Sequence, residues 1–61
     1  MSLLNMIDGM IEQLNTAKLD AEKFEAGNNA AGTRARKALQ DVRLASQDAR
    51  KAIQEKKNAS K

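Results

Sequence analysis

Residues 24–33, Phe-Glu-Ala-Gly-Asn-Asn-Ala-Ala-Gly-Thr, interrupt an otherwise unbroken helical pattern, and the way they are read decides the fold. Gly27 suits the left-handed position that ends a helix, and either Asn28 or Asn29 can cap a helix that follows. On this reading the chain is all-α, a two-helix antiparallel hairpin with helices at about 3–26 and 30–57. The rival is one long continuous coiled-coil helix. Its support is a heptad register, Phe24, Asn28, Ala31, Ala35, Ala38, Val42, Ala45, Ala49 and Ala52, that runs straight through the break. Gly27, Gly32 and the two Asn oppose it through their low helix propensity.

Working outward, both flanks are helical. No Pro interrupts them, no alternating β pattern exists, and Ala, Leu, Lys, Arg, Gln and Glu dominate. Upstream, Ser2 is the expected N-cap, and Leu3, Ile7, Met10, Leu14, Ala17, Ala21 and Phe24 recur at steps of four and three, the spacing of a coiled-coil seam. Gly9 is a weak point inside that helix. Downstream, three heptads share one formula: RKALQDV (36–42), RLASQDA (43–49) and RKAIQEK (50–56). Each has Arg first, Ala third, Gln fifth and, except for Lys56, a small or apolar seventh residue. If the chain folds back on itself, paired residue numbers should sum to about 59. That would set Phe24 near Ala35, Leu14 near Ala45 and Ile7 near Ala52 or Ile53.

Of the 61 residues, 41% count as hydrophobic, but 11 of those are Ala, which is thin stock for a lone core. Self-association into a dimer or four-helix-type bundle is therefore expected. Leu3, Leu4, Ile7, Met10, Ile11 and Leu14 are the candidate oligomerisation residues, since helix 1 has more apolar surface than one partner helix covers. The whole chain, 1–61, reads as a single helical domain that combines oligomerisation with ligand binding. Neither a signal peptide nor a membrane span is expected, because Asp8 and Glu12 lie early in the chain and the apolar runs are short.

Charge is unevenly placed. Residues 1–26 carry two Lys against five acids, whereas residues 27–61 carry nine cations against Asp41, Asp48 and Glu55. Such a split points to a polyanionic partner. Arg36, Arg43, Arg50 and Lys57 stand seven apart and would form a row about 31 Å long on a helix, close to one DNA turn of roughly 34 Å. Helical ion pairs need partners three or four residues away. Every such neighbour of the three Arg is uncharged, while Asp41, Asp48 and Glu55 reach Lys37 and Lys51 instead. A second anion feature is the start of helix 2, where Asn28, Asn29, Gly32 and Thr33 precede Arg34, Arg36 and Lys37 and where free N–H groups and the positive helix end attract phosphate. Gly32 would also let another backbone come close. The candidate DNA contacts are thus Arg34, Arg36, Lys37, Arg43, Arg50, Lys51 and Lys57, with Asn29 and Thr33. Phe24 is the one aromatic residue, so stacking on single strands is disfavoured and phosphate contact to duplex DNA is expected, with little sequence specificity. Gln40, Gln47 and Gln54 read better as helix surface than as groove readers.

Enzymatic chemistry lacks a foothold. The chain contains no His, no Cys and no Gly-rich phosphate loop, so no catalytic, cofactor or metal site is expected, and Asp41, Asp48 and Glu55 are too widely spaced to share a metal. A membrane-surface helix is disfavoured because the greasy helix is the acidic one. The remaining rival is a coiled-coil oligomerisation module whose Arg row pairs with acids of a sister chain.

The stretch Phe24 to Lys57, FEAGNNAAGTRARKALQDVRLASQDARKAIQEKK, resembles the core of the bacterial linker-histone-like (Hc type) nucleoid proteins. That core has an acidic-ended first helix, then GNKAA, a short spacer, an R-x-R pair and a charged second helix. Gly27, Asn28, Ala30, Ala31, Arg34 and Arg36 fall on the pattern. The resemblance implies a histone-like, cytoplasmic, nucleoid-associated protein that binds double-stranded DNA and organises the chromosome without enzymatic activity. Asn29 departs from the pattern, which has a lysine there. A Lys/Ala/Pro-rich tail, carried by many members, does not follow the core in these 61 residues, so the likeness is to a short form.

Overall fold

Helix α1 (Leu3–Glu25) starts where Ser2, in extended backbone, accepts a hydrogen bond on Oγ from the Asn5 N–H at 3.1 Å. That side chain satisfies one of the donors a helix start leaves without an intrahelical partner. The computed structural model, which describes residues 2–59, ends α1 at the turn Ala26-Gly27-Asn28. Gly27 sits at φ +110°, a backbone region that side-chain-bearing residues rarely adopt. Its N–H donates to the Phe24 carbonyl at 2.9 Å, and the Asn28 N–H donates back to the Lys23 carbonyl at 3.0 Å. These two bonds form the Schellman closure of a helix C-terminus. Asn28 then opens helix α2 (Asn29–Ala59), its Oδ1 accepting the Ala31 N–H at 3.2 Å. The chain therefore reverses within three residues, giving the antiparallel hairpin rather than the continuous helix. Among the described residues there is no strand.

The position of the turn corrects the expected register. Asn29 belongs to α2 and not to the turn, which moves the reversal point toward the N-terminus and lowers the pairing sum. Met10–Ser46, Phe24–Gly32 and Asp20–Arg34 sum to 56, 56 and 54, against the expected value near 59. Ala45 accordingly borders Met10 and Gln13 of α1, while Phe24 lies near Ala35 as expected. Ser46 Oγ donates to the Met10 sulfur at 3.3 Å.

The α2 side of the seam is as the heptads predict: Ala31 and Ala49 are buried, and Ala35, Ala38, Val42, Ala45 and Ala52 half-buried. Helix α1, however, is rotated by roughly a tenth of a turn from expectation, so that Met6, Gln13 and Asp20 replace Ile7, Leu14 and Phe24 beside the shared Leu3, Met10, Ala17 and Ala21. It turns Leu3, Met6, Met10, Gln13, Ala17, Asp20 and Ala21 inward and leaves Leu4, Ile7, Ile11 and Leu14 exposed. An Ala-lined surface tied by a three-residue turn invites close approach, which small Ala17 and unbranched Met and Gln allow and a row of Ile does not. Phe24 is half-exposed, its ring lying across Gly32. Gly32 thus serves the approach of a side chain, not of another backbone as the sequence suggests.

Two rods side by side have no deep interior. The molecule measures 52 × 15 × 14 Å with a radius of gyration of 14.8 Å, where a compact domain of this length would have about 10.5 Å. With pairing near 55, α2 also outruns the start of α1, and the segment from about Ile53 to Ala59 has no helix opposite it.

The glycines give contrasting predictions. A Cβ on Gly9 meets nothing within 4 Å, so Gly9→Ala should raise stability by about 1 kcal/mol in urea unfolding. A Cβ on Gly32 would fall 2.7 Å from Cε1 of Phe24 and closer still to Cδ1, so Gly32→Ala should bring no gain in the wild-type chain. In a Phe24→Ala background the same substitution should recover about 1 kcal/mol. Gly27→Ala should cost about 1 to 2 kcal/mol, because the left-handed backbone must be kept.

Candidate nucleic-acid interface

The repeated heptads of α2 carry the charge, and the hairpin gives each flank of that helix a different neighbour. Arg36, Arg43, Arg50 and Lys57 are all exposed, one per heptad. On their flank, Thr33, Arg36, Lys37, Leu39, Gln40 and Arg43 border one shallow open depression. Arg36 and Leu39 also form the rim of an apolar groove floored by Ala21, Phe24, Gly32 and Ala35. The acids of the same heptads face the other way. Asp41 lies beside Glu12, Gln13 and Thr16 of α1, and Asp48 beside Asn5, Met6 and Gln13. One broad side of the hairpin therefore holds the arginine row, and the opposite side holds carboxylates.

Among the described residues, no carboxylate lies within 4 Å of the guanidinium of Arg36, Arg43 or Arg50. Arg43 Nη1 donates to Gln40 Oε1 at 3.5 Å, a long contact to a neutral group. The pairs that the spacing permits within α2, Lys37 with Asp41 and Lys51 with Asp48 or Glu55, are not closed within 4 Å either. Lys37, Lys51, Asn29 and Thr33 are exposed. At the start of α2 the Ala31 N–H is already taken by Asn28 Oδ1, which removes one of the donors that an anion would use there.

Arg34 behaves differently from the rest of the candidate set. Its Nε donates to Asp20 Oδ1 at 3.2 Å, joining the two helices just above the turn. The Asp20 side chain is 12% exposed and that of Arg34 53%. A carboxylate withdrawn from water needs a partner, and here Arg34 supplies it. Sequence reasoning missed this pair because the expected seam put Ala21, not Asp20, against α2. With the turn one residue earlier, Asp20 comes level with Arg34.

The sequence model of the family described as Histone H1-like protein Hc1 matches residues 1–59. The chain belongs to this family. No curated protein and no solved structure gives a match. Membership makes the chain a histone-like, DNA-binding protein, and its family is a structural one. Among the described residues no cluster of His, Cys, Asp or Glu is arranged to hold a metal, and no helix is long and apolar enough to cross a membrane. Within the R-x-R pair that carries the likeness to the Hc1 family, the two arginines have separate situations: Arg34 closes the hairpin, while Arg36 stands at the head of the exposed row.

That division is measurable. Arg34→Met keeps the aliphatic stem but leaves Asp20 without its partner, so it should lower unfolding free energy by about 1 to 2 kcal/mol. Arg36→Met should stay within about 0.5 kcal/mol of wild type. Equal effects of the two substitutions in urea titrations would contradict the division.

Proposed function

We propose that this histone-like chain binds duplex DNA with little sequence preference through phosphate contacts from α2, and so organises or compacts the chromosome in the bacterial nucleoid. The observation that carries the reading is the row Arg36, Arg43 and Arg50, exposed on one flank of α2 with no carboxylate beside it. Lys37, Lys51 and Lys57 broaden the row, and Asn29 and Thr33 supply polar contacts at its head. Arg34 adds long-range charge, but its Nε is committed to Asp20. The carboxylates on the opposite side repel a phosphate backbone, so a single hairpin presents one side to DNA. Phosphate contact fixes position without reading bases, which fits a row with no stacking aromatic among its members.

Protomers also associate, in this reading, through α1. The residues of α1 turned toward α2 leave Leu4, Ile7, Ile11 and Leu14 in solvent. Leu3 and Met10, also expected among the oligomerisation residues, are half-buried within the single hairpin and offer less surface to a second chain. Association through α1 leaves the row on α2 free and multiplies it, raising avidity for a long polyanion.

A gel-shift series on random duplex against salt tests the binding. Three phosphates neutralised per protomer predict a slope of log affinity on log salt near −3 for one chain and near −5 for a dimer. Arg43→Glu with Arg50→Glu should abolish the shift while leaving the helical circular dichroism unchanged. Undiminished binding by that variant would overturn the site, and wild-type protein blind to DNA would leave a pure oligomerisation module.

A further inference from the structure

The hairpin leaves six large apolar side chains of α1 exposed, Leu19 and Phe24 among them, and four fall together: Leu4 is 73% exposed, Ile7 38%, Ile11 50% and Leu14 44%. They are not scattered. Their spacing is three, four and three, so they form one stripe on α1, to one side of the seam with α2. The stripe is also a palindrome. Leu, Ile, Ile, Leu reads the same from either end, in both residue type and spacing. The next position of the same stripe is Lys18.

From this we infer that a second copy of the chain docks on the stripe with its α1 antiparallel, related by a two-fold axis midway between Ile7 and Ile11. The inference rests on the association through α1 proposed above and adds its geometry. Laid antiparallel, Leu4 meets the partner's Leu14 and Ile7 meets the partner's Ile11, with every layer of the contact filled by two large apolar groups. An isologous interface requires self-complementarity of this kind. A parallel copy would also match Leu to Leu and Ile to Ile, but it would bring Lys18 onto its own counterpart, two like charges at the end of an apolar seam. Antiparallel pairing carries Lys18 past the partner's Leu4 and out of the contact. It also opposes the two helix dipoles.

The apolar residues of α2 do not compete for the role. Leu39 and Ile53 stand fourteen apart with Ser46 midway, and the exposed Leu44 lies on the other side of the helix, so the three form no continuous stripe. The arginine row lies on α2 and the stripe on α1, so docking leaves the row outside the contact. Because the contact is apolar, salt should not loosen it, whereas DNA binding should weaken steeply with salt. A coiled coil held by arginine–carboxylate pairs between chains would loosen in salt instead.

The chain has no cysteine, so engineered thiols report the geometry cleanly. Under mild oxidation, an equal mixture of Leu4→Cys and Leu14→Cys chains should form a covalent dimer on a non-reducing gel, while neither variant alone should. In the antiparallel pair, equivalent positions lie about 15 Å apart along the axis, well beyond the roughly 4.4 to 6.8 Å between Cα atoms that a disulfide spans. Efficient cross-linking of Leu4→Cys with itself would overturn the antiparallel arrangement while leaving association standing. Light scattering of the uncross-linked protein should give at least twice the 6.7 kDa chain mass from low to high salt. A mass of one chain would overturn association itself. Ile7→Glu with Ile11→Glu, both at exposed positions of the hairpin, should reduce the mass to one chain, and an unchanged mass would move the interface elsewhere.

Discussion

Two adjacent residues, Gly27 and Asn28, hold the reversal between the helices. Gly27 adopts φ +110°, and Asn28 closes α1 with its backbone N–H and opens α2 with its side chain. Because no spare residue separates the two caps, the turn has little freedom, and it sets both how far along each helix the pairs fall and which side of α1 faces inward. Asp20 level with Arg34, the Phe24 ring on Gly32 and the Met10 sulfur against Ser46 are all consequences of that setting.

The same setting explains why so much chemistry ends up on the surface. The face that α2 offers is built of alanines, so the seam is narrow and its buried residues are small. Large apolar groups then have nowhere to go but outward along α1. Charge is sorted as a further consequence. Each heptad of α2 carries one Arg and one acid on different flanks, and folding back turns Asp41 and Asp48 toward one side of the hairpin and Arg36 and Arg43 toward the other. A chain with a net charge of only +3 thereby presents a strongly basic side to a polyanion. A narrow, one-sided hairpin of this type suits a family whose members act as DNA-binding structural proteins.

Much of this was legible in the residues themselves. Ser2 as a cap, Gly27 as a helix stop, an asparagine as the next cap and the alanine seam of α2 follow from local rules, because each depends on neighbours within about four residues. The arginine row was legible for the same reason, since heptad spacing on a helix is local geometry. What local rules do not reach is the rotation of α1 about its axis. Its apolar residues cover more than half the helix, so several rotations bury similar area, and the choice passes to the position of the turn and the Asp20–Arg34 pair. One residue of difference in the turn, Asn29 in α2 rather than beside Asn28, shifted the register and took Arg34 from the free cations to the hairpin's own contacts.

The reversal at Gly27 and Asn28 is tested most directly by one intramolecular distance. Spin labels at the exposed positions Thr16 and Asp41 border the same depression between the two helices, and dilution with unlabelled chain removes signals between protomers. The hairpin predicts a separation of about 10 to 20 Å. A separation near 38 Å, the rise of twenty-five helical residues at about 1.5 Å each, would mean that α1 and α2 run on as one helix and would contradict the account.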